Sequence, residues 1–165
     1  MNIFIIGKST HGKTPLIQHL DGNIISASAW IKNKEEKYKF SAITDRDEYI
    51  KYISECSVDE LKINDLQPTE HIKSNLKDGI NIIDGLRNIK DFIILHNHDD
   101  KVVFVNNTIK NDFEFSMDKG VDIIKQYCCW LTDIGLKKSQ NVINIEYNNK
   151  FSEDDITKLI QGIQS

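Results

Sequence analysis

The sequence predicts an α/β fold, a three-layer α/β/α sandwich with a five-stranded parallel sheet. Five short apolar runs rich in β-branched and aromatic residues recur along the 165 residues, and segments with helical periodicity separate them. Such alternation is typical of βαβ units, whose crossovers make the strands parallel and place helices on both faces of the sheet. No repeat, linker or low-complexity segment interrupts the pattern, so we expect one domain over residues 1–165.

Each predicted element has its own signal. Turn residues bound the strands, and helix starts include a capping box at Ser57 and a proline at position 68. Asp78-Gly79 is expected to end the helix that Pro68 opens. The predicted strands are residues 2–6, 23–26, 80–84, 101–105 and 142–145. The predicted helices are residues 16–20, 29–37, three within 44–77, 88–95, 118–133 and 152–161.

Residues 7–14 read GKSTHGKT and match the phosphate-binding loop pattern (Walker A) G-x-x-x-x-G-K-[ST] at every fixed position. A strand precedes this stretch and a helical run follows it, which is the order that such a loop needs. Its backbone N–H groups turn inward as an anion cradle, and the next helix points its positive end at the same phosphate. We therefore predict a nucleoside triphosphate site in which the Lys13 ammonium reaches the β- and γ-phosphates and the Thr14 hydroxyl binds Mg²⁺. The predicted nucleotide-binding residues are Gly7, Lys8, Ser9, Thr10, His11, Gly12, Lys13 and Thr14.

The charge balance bears on the class of partner. With 21 Lys and Arg against 25 Asp and Glu, the net charge is −4, which disfavours general binding to nucleic acid or anionic membrane. A nucleic-acid partner bound through a local basic patch stays open. No apolar stretch approaches the roughly 20 residues that span a bilayer. The first strand begins at residue 2 and leaves no room for a cleavable signal peptide, so we expect a cytoplasmic protein, in the host cytoplasm if viral.

Two groups of side chains that could bind a metal or react are predicted to be structural instead. Cys128 and Cys129 lie in a helical run without redox or metal-ligand spacing, so we predict that both are buried helix residues. The stretch from His96 to Asp100 contains metal-ligand types but has no second cluster and no helical spacing. We predict a solvated turn there.

The segments that follow the first four strands are expected to meet in one crevice, because ligands of such sheets lie beyond the carboxyl ends of the strands. Asp84 ends the third strand, where an acid would hold Mg²⁺ through water opposite Thr14. Its alternative is a cap for the turn at Gly85, and Asp21 and Asp45 compete for the metal role. The four segments are residues 7–14, 26–30, 84–88 and 106–108.

Only Arg46 and Arg87 are arginines, so bidentate guanidinium contacts to phosphate can come from two positions at most. Arg87 lies at the mouth of the expected crevice, where it would hold a donor or acceptor phosphate; an ordinary surface arginine is the alternative. Arg46 has two acidic neighbours, which favour a surface ion pair over an acceptor-side role.

Ser26, Ser28 and Trp30 follow the second strand and form the predicted acceptor side. The small serines would let an acceptor approach, and the indole of Trp30 would offer a stacking face. Burial of Trp30 as a support for its helix is the alternative.

With these stretches in place, the chain resembles the P-loop nucleoside and nucleotide kinases, above all the adenylate-kinase-like and phage-type deoxynucleoside monophosphate kinases. The stretch Ile82-Ile83-Asp84-Gly85-Leu86-Arg87 has the apolar–apolar–Asp-Gly-x-Arg pattern that ends a central strand in such proteins. The resemblance implies a P-loop NTPase fold, an ATP·Mg²⁺ donor and an acceptor between the sheet edge and the helical region 44–78. It also implies that Lys13 stabilises the migrating phosphoryl group, that Thr14 ligates Mg²⁺ and that Arg87 contacts phosphate.

Three departures bear on catalysis. Relatives close an arginine-bearing lid over the phosphates, but residues 106–120, the expected reduced lid, contain no Arg, and Lys110 and Lys119 would act only as point charges. Ser26 and Ser28 stand where many relatives place an Asp near the acceptor. Pro15 has no N–H for the α-phosphate, which would cost about 1.5–3 kcal/mol of nucleotide affinity.

The sequence thus predicts a kinase that transfers the ATP γ-phosphate to a nucleoside monophosphate or a similar small acceptor. One alternative is a catalytically degenerate kinase fold that binds nucleotide or a protein partner, and another is a kinase acting on modified bases in DNA. A switch GTPase is disfavoured because no Asn/Thr-Lys-x-Asp motif is present. The acceptor and the oligomeric state, including a homodimer, stay open.

Overall fold

A computed structural model describes residues 1–8, 13–30, 68–107, 119–148 and 150–164. Its strands are β1 (Asn2–Ile6), β2 (Asn23–Ser26), β3 (Asn81–Asp84), β4 (Lys101–Asn107) and β5 (Val142–Tyr147). Its helices are α1 (Lys13–Ile17), α2 (Thr69–Asn75), α3 (Ile89–Leu95), α4 (Lys119–Asp133) and α5 (Glu153–Gln164), with a 3-10 turn at Ser139–Asn141. Residues 27–30 are also helical.

The strands form one sheet in the order β2-β3-β1-β4-β5, and every neighbouring pair is parallel. This confirms the predicted α/β fold class. The apolar runs end at Val105 and Ile145, but β4 and β5 continue for two further pairs, Asn106↔Glu146 and Asn107↔Tyr147. The ladder extends because pairing satisfies backbone groups whatever the side chains are.

The helix predicted from Pro68 ends earlier than expected, at Asn75, because the backbone of Leu76 is extended. The other described helices agree with prediction to within a few residues, and α5 runs on to Gln164. The predictions for residues 31–67 lie outside the described residues.

Alternating strand residues supply two cores, one on each face of the sheet. Phe4 and Phe104 lie in the core that α2, α3 and α4 cover. Ile3 and Ile5 lie in the other core, which Leu16 of α1 and other residues of α1 and α5 complete. The right-handed crossover rule explains the division, because the β1→β2 connection runs across the sheet in the opposite direction to the later ones.

The same division is expected to open a crevice at one end of the sheet. The chain leaves β1 towards α1 on one face, whereas it leaves the neighbouring strand β3 towards α3 on the other face. The carboxyl ends of β1 and β3 therefore flank a topological switch point, where ligands bind in open α/β sheets. The register pairs Asp84 with Ile5, one residue before β1 ends.

The opposite end of the sheet holds the stretch that was predicted as a solvated turn, and that prediction is wrong for two of its residues. Asp100 is buried, and its carboxylate accepts hydrogen bonds from the backbone N–H groups of Asn2 and Asn97. The His96 ring stacks on Phe92, with centroids 4.7 Å apart. The turn connects the end of α3 to the start of β4, so both residues lie next to elements that pack in the core.

Lys137 is buried beside the same turn, where its ammonium donates to His96 Nε2 at 2.9 Å and to the carbonyls of His98 and Asp100. The described residues bring no three His, Cys, Asp or Glu side chains together as a metal site. Cys128 is buried as predicted, but Cys129 is exposed, because adjacent helix residues point about 100° apart. No described helix is long and apolar enough to cross a membrane.

Candidate functional site

Asp84 lies at the centre of the crevice. Its carboxyl is buried, and Oδ1 has no hydrogen-bond partner among the described residues. Burial raises the pKa of Asp84, and the charges of Lys13 and Arg87 act in the opposite direction. A carboxylate oxygen that no described residue bonds suits a hydrated Mg²⁺, which keeps several of its waters and binds through one or two carboxylates.

Lys13 stands at the start of α1 and folds back over the beginning of the loop. Its Nζ donates to the carbonyl of Lys8 at 2.8 Å. A Cβ at Gly7 would lie 3.3 Å from Lys13 Cγ and 3.2 Å from the carbonyl oxygen of Val105, so a glycine suits this position. Ser9, Thr10, His11 and Gly12, and the side chain of Thr14, lie outside the described residues.

The two predicted serines lie beside Asp84. Ser26 pairs with Asp84 in the β2–β3 ladder, and its Oγ accepts from the Ala29 N–H at 3.2 Å, which caps the helical residues 27–30. Ser28 Oγ lies 3.2 Å from Ser26 Oγ. Gly85 has φ of +83°, and a Cβ there would lie 2.7 Å from Ser28 Oγ. We call Ser26 and Ser28 together the serine wall. Through Ser28, it packs directly on the turn that follows Asp84.

Trp30 packs against α2. Its indole stacks on the imidazole of His71 in α2, with centroids 5.3 Å apart and planes 19° apart. The side chain is half-buried, so the contact favours the supporting role over a free stacking face. Arg46, the remaining acceptor-side prediction, lies outside the described residues.

Two charged residues on the β4 side, Asp122 and Lys125, were not predicted as part of the site, and one of them pairs with the predicted Lys8. Lys8 forms an ion pair with Asp122 of α4, with Nζ and Oδ2 3.2 Å apart. Lys125 Nζ donates to Oδ1 of Asn106 and lies 5.6 Å from the centroid of the Phe104 ring. Burial lowers the pKa of Lys125; Asp122 opposes this effect and Lys8 adds to it. The available signal was the three-residue spacing of Asp122 and Lys125, which places them on one side of a helix.

Among the described residues, the cations near the crevice are Lys8, Lys13, Arg87 and Lys125, and the acids are Asp84, Asp122 and Glu146. This local excess of positive charge contrasts with the net charge of −4 for the whole chain. Focused positive potential in a cleft attracts anionic ligands. Chemically, the arrangement suits a polyphosphate accompanied by a divalent cation.

No protein-family model and no curated protein matches the sequence. Among solved structures, TT1252 from Thermus thermophilus is similar with a TM-score of 0.52 and 13% identity, over 99% of this chain and 96% of that one. A thymidylate kinase from Ehrlichia chaffeensis (TM-score 0.47, 13% identity, 100% and 98% covered) and a sugar kinase from Janibacter sp. (0.40, 12%, 99% and 94%) are more distant. The first likeness shows a shared fold over nearly the whole chain.

Proposed function

We propose that this protein is an ATP- and Mg²⁺-dependent kinase that phosphorylates a nucleoside monophosphate or a similar small anionic acceptor. The observation that carries the proposal is the buried Asp84 at the carboxyl end of β3, the strand beside β1, with a carboxylate oxygen that no residue of the described ranges bonds. It adjoins a loop that matches the phosphate-binding pattern at every fixed position. Strand-end acid and loop are the two protein parts that hold Mg²⁺ in P-loop enzymes.

Each residue has a role in this proposal. Lys13 would exchange the Lys8 carbonyl for the β- and γ-phosphates, and Asp84 with Thr14 would hold Mg²⁺, which would supply neutralisation of phosphate charge. Arg87 would hold a donor or acceptor phosphate. Lys125 would supply a further positive charge from the β4 side. Phosphoryl transfer depends mainly on positioning and charge neutralisation, and these groups are of the types that provide both.

The serine wall favours a phosphate acceptor over an alcohol. A hydroxyl nucleophile has a proton to lose, and a carboxylate base commonly accepts it. Ser26 and Ser28 cannot act in this way at neutral pH. A nucleoside monophosphate presents an oxygen that is already anionic, so it needs hydrogen-bond donors and no base.

The direct test compares wild type with Lys13→Ala in the presence of ATP, Mg²⁺ and a panel of nucleosides and ribo- and deoxynucleoside monophosphates. We expect ADP formation with at least one monophosphate, and a loss of about a hundredfold or more in the variant. If no acceptor supports Lys13-dependent ADP formation, the kinase proposal is wrong. Added duplex DNA separates the related proposal of a kinase for modified bases, since only that enzyme would be stimulated.

A non-catalytic nucleotide-binding module is the second candidate, and Pro15 favours it. This residue lies in the first turn of α1, where its missing N–H removes one donor to the phosphates. Calorimetry with ATP·Mg²⁺ distinguishes the two candidates when combined with the turnover assay. Binding without turnover would support a sensor, and turnover would exclude it.

A further inference from the structure

Exposed apolar side chains are concentrated on one part of the surface. The described residues include ten large hydrophobic side chains that are exposed, and six of them lie on α3 and α4 or directly after α4. Single exposed apolar residues are ordinary, whereas a contiguous patch on a monomer marks an interaction site. The six are Ile93, Ile94, Ile123, Trp130, Ile134 and Leu136.

Helix α4 carries two apolar sides. One side is buried in the core and includes Ile124 and Cys128. The other side presents residues 123, 127 and 130, and Ile134, whose N–H donates to the Trp130 carbonyl directly after the helix, continues them as one stripe with spacings of four, three and four residues. Ile123, Trp130 and Ile134 are 47%, 54% and 48% exposed. Tyr127 packs partly against the core, but the other three apolar side chains of the stripe are left exposed by it.

Aromatic contacts join the stripe to α3. The Tyr127 ring lies 6.0 Å from the Trp130 ring and 6.2 Å, edge to face, from the Phe92 ring of α3. The two residues after Phe92 are exposed isoleucines. We use the term α3–α4 surface for Ile93, Ile94, Ile123, Tyr127, Trp130, Ile134 and Leu136.

We infer that the α3–α4 surface binds a second copy of this chain and forms a two-fold dimer. A two-fold interface must be self-complementary. The spacing of the stripe reads the same in both directions along α4. An axis between Tyr127 and Trp130 therefore places Ile123 opposite the partner's Ile134, and Tyr127 opposite the partner's Trp130, in an antiparallel helix pair.

The size of the α3–α4 surface and its lack of charge are compatible with a second copy of the chain as the partner. The six half-exposed side chains and the partly buried Tyr127 offer on the order of 600 Å² per protomer, somewhat less than the about 800 Å² per partner of a standard interface. None of the four stripe positions is charged, as expected for the centre of an interface. Lys125 faces the crevice from the first half of α4, so the dimer leaves the candidate site open.

Sedimentation velocity of the full chain, from about 1 to 200 μM, tests the proposal independently of any enzymatic activity. We expect a concentration-dependent dimer of the 19.0 kDa chain. Trp130→Glu should weaken dimerisation by about 30-fold or more, as loss of an interface hot spot does. Ile160→Glu, which changes an exposed apolar residue of α5, is the matched control and should leave it unchanged. Far-UV circular dichroism and thermal unfolding verify that both variants fold.

Disulfide crosslinking tests the antiparallel register. In a Cys56→Ser, Cys129→Ser background, which leaves only the buried Cys128, the double variant Ile123→Cys, Ile134→Cys should crosslink between chains on mild oxidation, whereas neither single variant should do so. The two positions are about 16 Å apart along one helix, too far for a bond within a chain. A monomer at every concentration, or a dimer that Trp130→Glu leaves intact, overturns the proposal. Crosslinking of a single variant instead overturns the register.

Discussion

The carbonyl oxygen of Arg87 occupies the space in which a Cβ at Gly120 would stand. The first turn of α4 therefore rests directly on the backbone that follows Asp84. Through this contact, the helix that carries Asp122 and Lys125 is held beside the strand end that carries the candidate metal ligand.

Replacement of Gly120 by alanine should destabilise the protein although it improves helix propensity. In an unobstructed helix, Gly→Ala stabilises by up to about 1 kcal/mol. Here the added methyl overlaps a backbone oxygen, which must move, and overpacking of this kind costs about 1–3 kcal/mol. Urea unfolding of Gly120→Ala against Gln126→Ala, an exposed position of the same helix, measures the difference. A stabilised Gly120→Ala variant would contradict the observed contact.

Asp84→Asn should abolish the effect of Mg²⁺ on nucleotide binding. The amide cannot hold the hydrated cation as a carboxylate does, so ATP affinity should become nearly the same with and without Mg²⁺. Turnover should fall by about a hundredfold or more, the scale expected when a group that neutralises transition-state charge is lost. Calorimetry with and without Mg²⁺ measures the first effect. Asp21→Asn is the control, and if that variant loses the Mg²⁺ dependence instead, the metal role belongs to Asp21.

Lys125→Met should weaken ATP binding more than AMP binding, by about tenfold or more for ATP, because a charge-assisted contact to phosphate is worth about 1.5–3 kcal/mol. Lys125→Arg should retain most of the affinity, since the positive charge remains. Lys138→Met, an exposed lysine beyond the far end of α4, serves as the control. Equal losses for ATP and AMP would show that Lys125 serves only to support Asn106.

Mild acid should destabilise the fold through His96. Burial foremost, then the charges of Lys137 and His98, lowers the pKa of His96 to about 3. An unfolded histidine binds a proton near pH 6.5, so below that pH the unfolded state takes up a proton that the folded state refuses. Stability is therefore lost as pH falls from about 6.5 towards about 3.

Urea unfolding at pH 7 and pH 5 measures this effect. Because part of the His96 ring is exposed, we expect a loss of about 1 kcal/mol from this residue, about half of the full linkage value. The pH dependence should be smaller in His96→Gln than in wild type. Gln126→Ala, an exposed and non-titrating change on α4, is the control and should keep the wild-type pH dependence. An unchanged slope in His96→Gln would refute the assignment.

Patterns local in sequence were sufficient to predict the fold class and the phosphate-loop motif. Alternating apolar runs predicted the five parallel strands, and fixed spacing identified residues 7–14. Contacts between distant segments were not predictable in this way. The Lys8–Asp122 ion pair and the Ser28–Gly85 packing depend on which strands become neighbours in the sheet. No single segment of the sequence specifies this strand order. The roles of Asp84, Arg87 and Thr14 stay predictions.

The strand order has a consequence for the sequence of folding events. The loop strand β1 is near the amino terminus, yet its two neighbours, β3 and β4, come from residues 81–84 and 101–107. During synthesis, the complete loop motif is present long before either neighbouring strand exists. Non-local pairings of this kind slow folding, because distant segments must meet before their contacts stabilise the chain. Nucleotide binding by carboxyl-terminal truncations would therefore report the point at which β1 becomes paired on both sides.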